Sequence, residues 1–411
     1  MKKLPLEGVR IADLTMMWAG PYATRLLAEM GAEVIKIESP NAWDNIRTLV
    51  PQPEATEPWN SSFYFNDYNR DKKSLTLDLA QERGRDVFLD LVKHCDIVIE
   101  NYRADVLQKL NIDYPVLREA KDNIILVSMA GFGKTGKERT QVGFGPIIEQ
   151  MAGLASLAGY GDDGEPYKTG ISYGDPVGGV AAAGAVSLAL INRRRTGEGC
   201  HIDLAQRETM AAMIGEAFVA ASLRGEAPTH YGNRHPRFAP QGAYRCAGDD
   251  QWIVVSVRND HEWRQLASVI GANEELAGLG FDERQARHDE LDATIEAWTI
   301  EQDAQPAMER LQDAGVPAGR VLDTVAIHDD PHLTARGYWV RLPHPKMTPW
   351  RQPASSWRMV EANPHLRRHA PLFGEHNEEI LCGLLGLRSD DLRQLESQGI
   401  IADAPINPTV G

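Results

Sequence analysis

Apolar residues recur along the chain with two periods, and the switches between them outline the expected fold. Val9-Arg10-Ile11-Ala12-Asp13-Leu14 reads as a short strand. Positions 21–30 carry helical spacing that Gly31 ends, and Ala32-Glu33-Val34-Ile35-Lys36-Ile37-Glu38 reads as the next strand. Strand, helix and strand at the start of the chain predict a βαβ unit and hence a parallel sheet. Further strands are expected over 74–79, 96–100 and 124–128, and a helix over 82–94. Residues 39–70 are rich in Pro, Asn and aromatics without a clear period. A loop of that length inside a compact domain is usually functional or covers a site. A helix of small residues is expected from 176 to about 195, then a tight turn at Thr196-Gly197-Glu198-Gly199, a strand over 201–204 and a helix over 207–224.

Near Gly225 the pattern changes. A loop over 228–240 precedes two expected antiparallel strands, 242–246 and 252–257, around Gly248-Asp249-Asp250, and helical spacing runs on to about 314. A Pro-rich segment and a last helix near 377–385 are expected to return to the first domain. The predicted fold class is α/β: an open, Rossmann-like parallel-sheet large domain over 1–224, a smaller α+β domain over 225–330, and a return segment over 331–411 that completes the large domain. The first turn has only Gly20 and lacks the G-x-G-x-x-G fingerprint, so dinucleotide binding has weak support.

Composition narrows the function classes. The chain has 411 residues, 43% of them apolar and 25% charged, as in a soluble globular protein of two or three domains. A net charge of −15 argues against nucleic acid as a partner, and an anionic ligand would need a local basic patch. Cys95, Cys200, Cys246 and Cys382 are scattered without C-x-x-C, which argues against a metal knuckle and fits a reducing cytoplasm. The N-terminus lacks a signal-peptide pattern. The most apolar stretch, 177–191, falls short of the ~20 residues of a membrane span and reads as a closely packed buried helix.

The candidate chemistry centres on Thr169-Gly170-Ile171-Ser172-Tyr173-Gly174-Asp175-Pro176-Val177-Gly178-Gly179. Glycines leave the Asp175 carboxylate uncrowded, and a helix starting at Pro176 would aim free N–H groups at whatever it binds. That suits a carboxylate nucleophile passing through a covalent intermediate. The competing reading is an N-cap Asp followed by Pro at the first helical position.

Several segments, in order over nearly the whole chain, resemble the class III CoA-transferase family, whose relatives include α-methylacyl-CoA racemase. They are Leu6-Glu7-Gly8-Val9-Arg10, Ala19-Gly20-Pro21, Gly31-Ala32-Glu33-Val34-Ile35-Lys36, Asn69-Arg70-Asp71-Lys72-Lys73-Ser74-Leu75, Asn101-Tyr102-Arg103, Gly131-Phe132-Gly133, Gly174-Asp175, Gly197-Glu198-Gly199 and Tyr244-Arg245-Cys246-Ala247-Gly248-Asp249. The resemblance implies that Asp175 attacks an acyl-CoA thioester to give a mixed anhydride. The CoA thiolate then returns to form an aspartyl-CoA thioester, and an acceptor carboxylate takes over the CoA. It places coenzyme A, as co-substrate, against Trp18, Ala19, Asn69, Asp71, Lys72, Asn101, Tyr102, Arg103 and Lys109. Arg47 is expected to replace an arginine that the formate-specific members carry where this chain has Ser39.

The family's racemases place a histidine about thirty residues before the aspartate; Phe144 stands there and cannot carry a proton. Racemase or epimerase activity is therefore the alternative. The formate enzymes carry a glutamate where this chain has Gly145; Glu149, one turn on, is a possible substitute. Trp18, Trp43, Trp59, Phe63, Tyr64 and Phe65 are expected around the entry. Phe144, Arg234 and Arg237 are expected to face the acyl group, which suits a benzylsuccinate-like dicarboxylate with succinyl-CoA as donor. Family members are interlocked dimers, so a homodimer, or a heteromer with a homologous subunit, is implied.

Overall fold

Six parallel strands form the spine of the larger unit: β1 (Arg10–Asp13), β2 (Glu33–Glu38), β3 (Lys72–Thr76), β4 (Ile97–Glu100), β5 (Ile125–Ser128) and β6 (Cys200–Asp203), in the spatial order β3-β2-β1-β4-β5-β6. The structure is a computed structural model, and it describes residues 3–160, 165, 167–228, 230–362, 364 and 366–406. The order reverses between β1 and β4, and open α/β sheets bind ligands outside the carboxyl ends of the strands at such a switch point.

Alternating residues feed two cores. Ala12, Ile35, Ile37, Val98 and Leu126 pack on one face with Val87, Phe88 and Leu91 of a helix at Glu82–Lys93. Ile11, Val34, Ile97, Ile99, Ile125 and Val127 pack on the other with α1 (Ala19–Glu29).

The 39–70 segment is not the irregular loop the sequence suggests. It holds tight turns at Asn45–Thr48 and Pro58–Asn60 and a short helix, α2 (Phe63–Tyr68), whose N-cap Ser62 accepts from the Phe65 N–H at 3.0 Å. Trp43 and Phe65 are buried in the core, not placed around an entry.

Two further helices shape the site: α3 (Gly145–Ala152) and α4 (Gly174–Thr196). At 23 residues α4 is longer than the sequence suggests, and it is long and apolar enough to span a membrane by length and composition alone, a test that core helices also pass. Here Ala182, Val186 and Ala189 are buried in the core shared with α1, and Arg193 pairs with Asp96. The two helices approach so closely that a Cβ on Gly179 would lie 2.8 Å from the Ala19 carbonyl oxygen. The expected helix over 207–224 is two helices, Gln206–Met213 and Gly215–Arg224, broken at Ile214.

The first unit comprises Met1–Leu154, Lys168–Gly225 and Ala335–Gly411; the second comprises Ala155–Tyr167 and Glu226–Thr334. Segment 155–167 thus joins the second unit, and the return begins at 335 rather than 331. The return is fastened to β3: the Asn377 side-chain oxygen accepts the Thr76 N–H at 2.8 Å. A wide helical turn, closed by the Leu385 N–H on the Ile380 carbonyl, and an unexpected helix at Ser389–Ser397 complete it. The second unit has an antiparallel sheet of Gln241–Arg245, Trp252–Ser256 and Ala318–Arg320 over a core including Trp263, Leu266, Leu291 and Leu311.

Candidate active site

A lattice of buried charges builds the turn between β1 and α1. Asp13, Lys36, Asp44, Arg47 and Lys72 have no exposed surface. The Asp13 carboxylate accepts from the Thr15 N–H, the Thr15 and Thr24 hydroxyls and the Lys72 ammonium, at 2.5–3.1 Å. Lys36 donates to the Thr15 carbonyl at 2.7 Å and pairs with Asp44 at 2.8 Å. Asp44 in turn accepts the Met17 N–H, and Asn101 accepts the Met16 N–H and donates to the Met16 carbonyl. Met17 has φ 65°, a costly conformation for a side chain, and these bonds hold it. Burial alone would raise the pKa of Asp13, yet Lys72, Lys36 and the two hydroxyls keep it below the ordinary carboxylate range. Burial pushes the Lys72 ammonium down to about 8 against the pull of Asp13.

The turn delivers the start of α1 to Asp175. Asp175 is the second residue of α4, whose N-cap is Tyr173 without a side-chain bond. The N-cap reading of Asp175 therefore fails, because the helix starts two residues before Pro176 and the carboxylate is free of capping duty. The Ala19 N–H, from the first residue of α1, donates to that carboxylate. Gly145, the first residue of α3, lies against it: a Cβ there would be 2.2 Å from Asp175 Oδ2 and 2.5 Å from Ser172 Cβ. Three helix N-termini thus converge on one carboxylate, and each favours negative charge. Burial outweighs the Ala19 bond and, with Glu149, raises the pKa of Asp175 to about 6, so the group is ionised yet basic at neutral pH.

Aromatic rings line the approach. Trp18 stacks on Tyr68 with centroids 5.5 Å apart and meets Tyr64 edge-on at 5.9 Å. Burial, and then the Asp175 charge, raise the pKa of Tyr64, so its phenol stays neutral in the field of the carboxylate. The Trp18 indole N–H is buried without a partner among the described residues, a donor open to a ligand.

Several residues expected on CoA are engaged within the fold. Asn69 and Lys72 are fully buried; Lys72 donates to the Asn69 side-chain oxygen at 2.8 Å and to the Pro21 carbonyl. Asp71, at φ 64°, accepts the Arg367 and Arg368 N–H groups of the return segment at 2.8 Å. Lys72 therefore offers no free cation to a phosphate. Arg47 pairs with Glu38 and lies 3.5 Å from the Phe65 ring centroid, so it cannot take over a ligand contact either. Asn101 holds the β1–α1 turn, and Tyr102 packs against the core.

Arg103 and Lys109 are exposed past the end of β4 and converge on Asp105, which leaves them free to exchange that partner for an anion. Phe144 is 58% exposed at the N-cap of α3. Arg234 and Arg237 belong to the second unit, where Arg234 is engaged by Asp289 and Asp292. No group of three metal-binding side chains occurs among the described residues. Sequence reasoning left Gly145 without a role and Glu149 as a possible substitute.

A family model described as "CoA-transferase family III" matches residues 6–377. A succinyl-CoA–D-citramalate CoA-transferase from Chloroflexus aurantiacus is 32% identical over 97% of this chain and 98% of its own. A succinyl-CoA:mesaconate CoA-transferase from Haloarcula marismortui is 34% identical over 92% and 95%. Among solved structures, a CAIB/BAIF family protein from Brucella suis superposes with a TM-score of 0.84 at 30% identity, over 93% of this chain and all of that one.

Proposed function

The chain belongs to CoA-transferase family III, and from that premise we propose that it moves CoA from succinyl-CoA to a dicarboxylic acid through covalent intermediates on Asp175. The observation that carries this reading is the setting of Asp175: a basic carboxylate at three helix N-termini, with no cation paired to it among the described residues.

The chemistry follows from that setting. An Asp175 oxygen attacks the thioester carbonyl carbon; the C–O bond forms, the C–S bond breaks and CoA leaves as thiolate. Backbone N–H groups at the helix starts suit the oxyanion of the tetrahedral intermediate. The thiolate attacks the aspartyl carbonyl of the anhydride, releasing succinate and leaving an aspartyl-CoA thioester. The acceptor carboxylate attacks next, the thiolate leaves, and its return to the acceptor acyl group regenerates Asp175.

CoA is assigned to the carboxyl ends of β1 and β4, with Trp18 and Ala19 on one side and Asn101, Tyr102, Arg103 and Lys109 on the other. Only Arg103 and Lys109 of the expected cations are available to its phosphates. Asn69, Asp71 and Lys72 support that surface from beneath. The relatives named for citramalate and mesaconate favour a short dicarboxylate acceptor over an aryl-substituted succinate. Pairing with a second chain is part of the proposal, since Val180, Leu188 and Ile191 leave an apolar stripe of α4 exposed.

The test is a transfer assay. Succinyl-CoA with a panel of dicarboxylates should yield new acyl-CoA in wild type and none in Asp175→Asn. Exchange of an α-proton with deuterated water, without transfer, would instead favour the racemase reading.

A further inference from the structure

Glu149 is a buried carboxylate that the chemistry above does not use. It lies on α3 one turn after Gly145 and is 2% exposed. Its Oε1 accepts the Gly174 N–H at 3.4 Å, and its Oε2 lies 3.5 Å from the Thr169 hydroxyl. Both bonds are long, and no cation pairs with Glu149 among the described residues. A carboxylate buried on such terms costs stability that a glutamine would not. Gly174 is the first residue of α4, so Glu149 stands at the same helix start that carries Asp175.

Resting on the assignment of Asp175 as nucleophile, we propose that Glu149 is a positioning residue for the transfer step: it braces the segment bearing Asp175 and presses a second negative charge on that carboxylate, a conflict that acylation of Asp175 removes. The groups facing Asp175 fit this role. The Ala19 N–H comes from α1, the Tyr64 phenol from α2 and Glu149 from α3, while the first N–H of α4, that of Gly174, is taken by Glu149 itself. The adjoining segment adds Lys168, whose ammonium is turned to the Thr169 carbonyl at 2.8 Å. Glu149 is the charged side chain among them that acts on Asp175, and its sign is the same.

When Asp175 attacks the thioester, its negative charge moves to the departing thiolate sulfur, so the repulsion from Glu149 falls as the new C–O bond forms. The conflict returns when the acceptor releases Asp175. Glu149 therefore speeds acylation and raises the fraction of acylated enzyme, at the expense of the free carboxylate.

The experiment is single-turnover acylation by succinyl-CoA, followed by peptide mass across pH, in wild type, Glu149→Gln and Glu149→Asp. Gln keeps the size and hydrogen-bonding capacity without the charge. The proposal expects its acid limb about one pH unit lower than wild type and its plateau rate about tenfold slower. Asp keeps the charge, so its limb should stay near that of wild type. Unchanged limb and rate in Gln, or a limb displaced in Asp alone, would overturn the proposal and leave the nucleophile assignment standing. Wild type without any adduct on the Asp175 peptide would instead remove that assignment and this inference together.

Discussion

Asp13 and Asp175 both lie against the start of α1, and the protein treats them in opposite ways. Asp13 is fully buried, with two hydroxyls, a backbone N–H and a lysine ammonium around its carboxylate. Asp175 is partly exposed; it has one backbone N–H and the like charge of Glu149. The first setting lowers a carboxyl pKa and the second raises it to about 6. A satisfied charge specifies shape, because removing any partner leaves another charge stranded. An unsatisfied one retains the basicity that a nucleophile needs. The lattice around Asp13 also fixes the backbone that leads to the Ala19 N–H at Asp175, so the rigid region positions the reactive one.

The sharpest way to break the comparison is Asp175→Asn. Transfer should fall more than about a thousandfold in a turnover assay, while urea unfolding shows no loss of stability. The sign follows from linkage. A carboxyl raised from 3.8 to about 6 holds its proton more tightly in the folded chain, so the folded state is favoured as pH falls through that window and disfavoured above it. The amide should therefore gain about 1–2 kcal/mol above pH 6 and nothing below about pH 4.

Lys36→Met should do the reverse, costing about 3–5 kcal/mol in the same unfolding experiment by stranding Asp44. Lys36 is held above its ordinary 10.5 because Asp44, Glu38 and Asp13 outweigh its burial. Its contribution is therefore complete below that pH, and the loss should be flat from about pH 6 to 9.

Gly145→Ala falls between these two in kind. Its Cβ would press on Asp175 Oδ2, so kcat should drop about a hundredfold with only a modest shift in melting temperature. The smallest effect belongs to Lys109→Ala. It should raise KM for the CoA donor a few-fold without changing kcat, and less so at high salt, because the ammonium is exposed.

The contrast between the two aspartates also marks how far the sequence could be read. Strands β1, β2, β4 and β5 were legible, because runs such as Ile97-Val98-Ile99 leave few alternatives. Asp175 was legible as a candidate through its glycine context. The lattice was not, since Lys72, Arg47 and Asp71 read as ligand contacts until β3 and the return segment bury them. Nor was α2, whose helix depends on tertiary burial of Phe65 and on the Ser62 cap. The convergence of Gly145, Glu149 and Ala19 on Asp175 arises only when three helix starts meet in space.

The most direct test of the central claim is the mass of the Asp175 peptide after the wild-type protein is mixed with succinyl-CoA and quenched. The account predicts a succinyl or CoA adduct on that peptide, cleaved by hydroxylamine, lost on adding a dicarboxylate acceptor and absent from Asp175→Asn. CoA transfer proceeding at full rate with no adduct on Asp175, or with the same rate in Asp175→Asn, would contradict it.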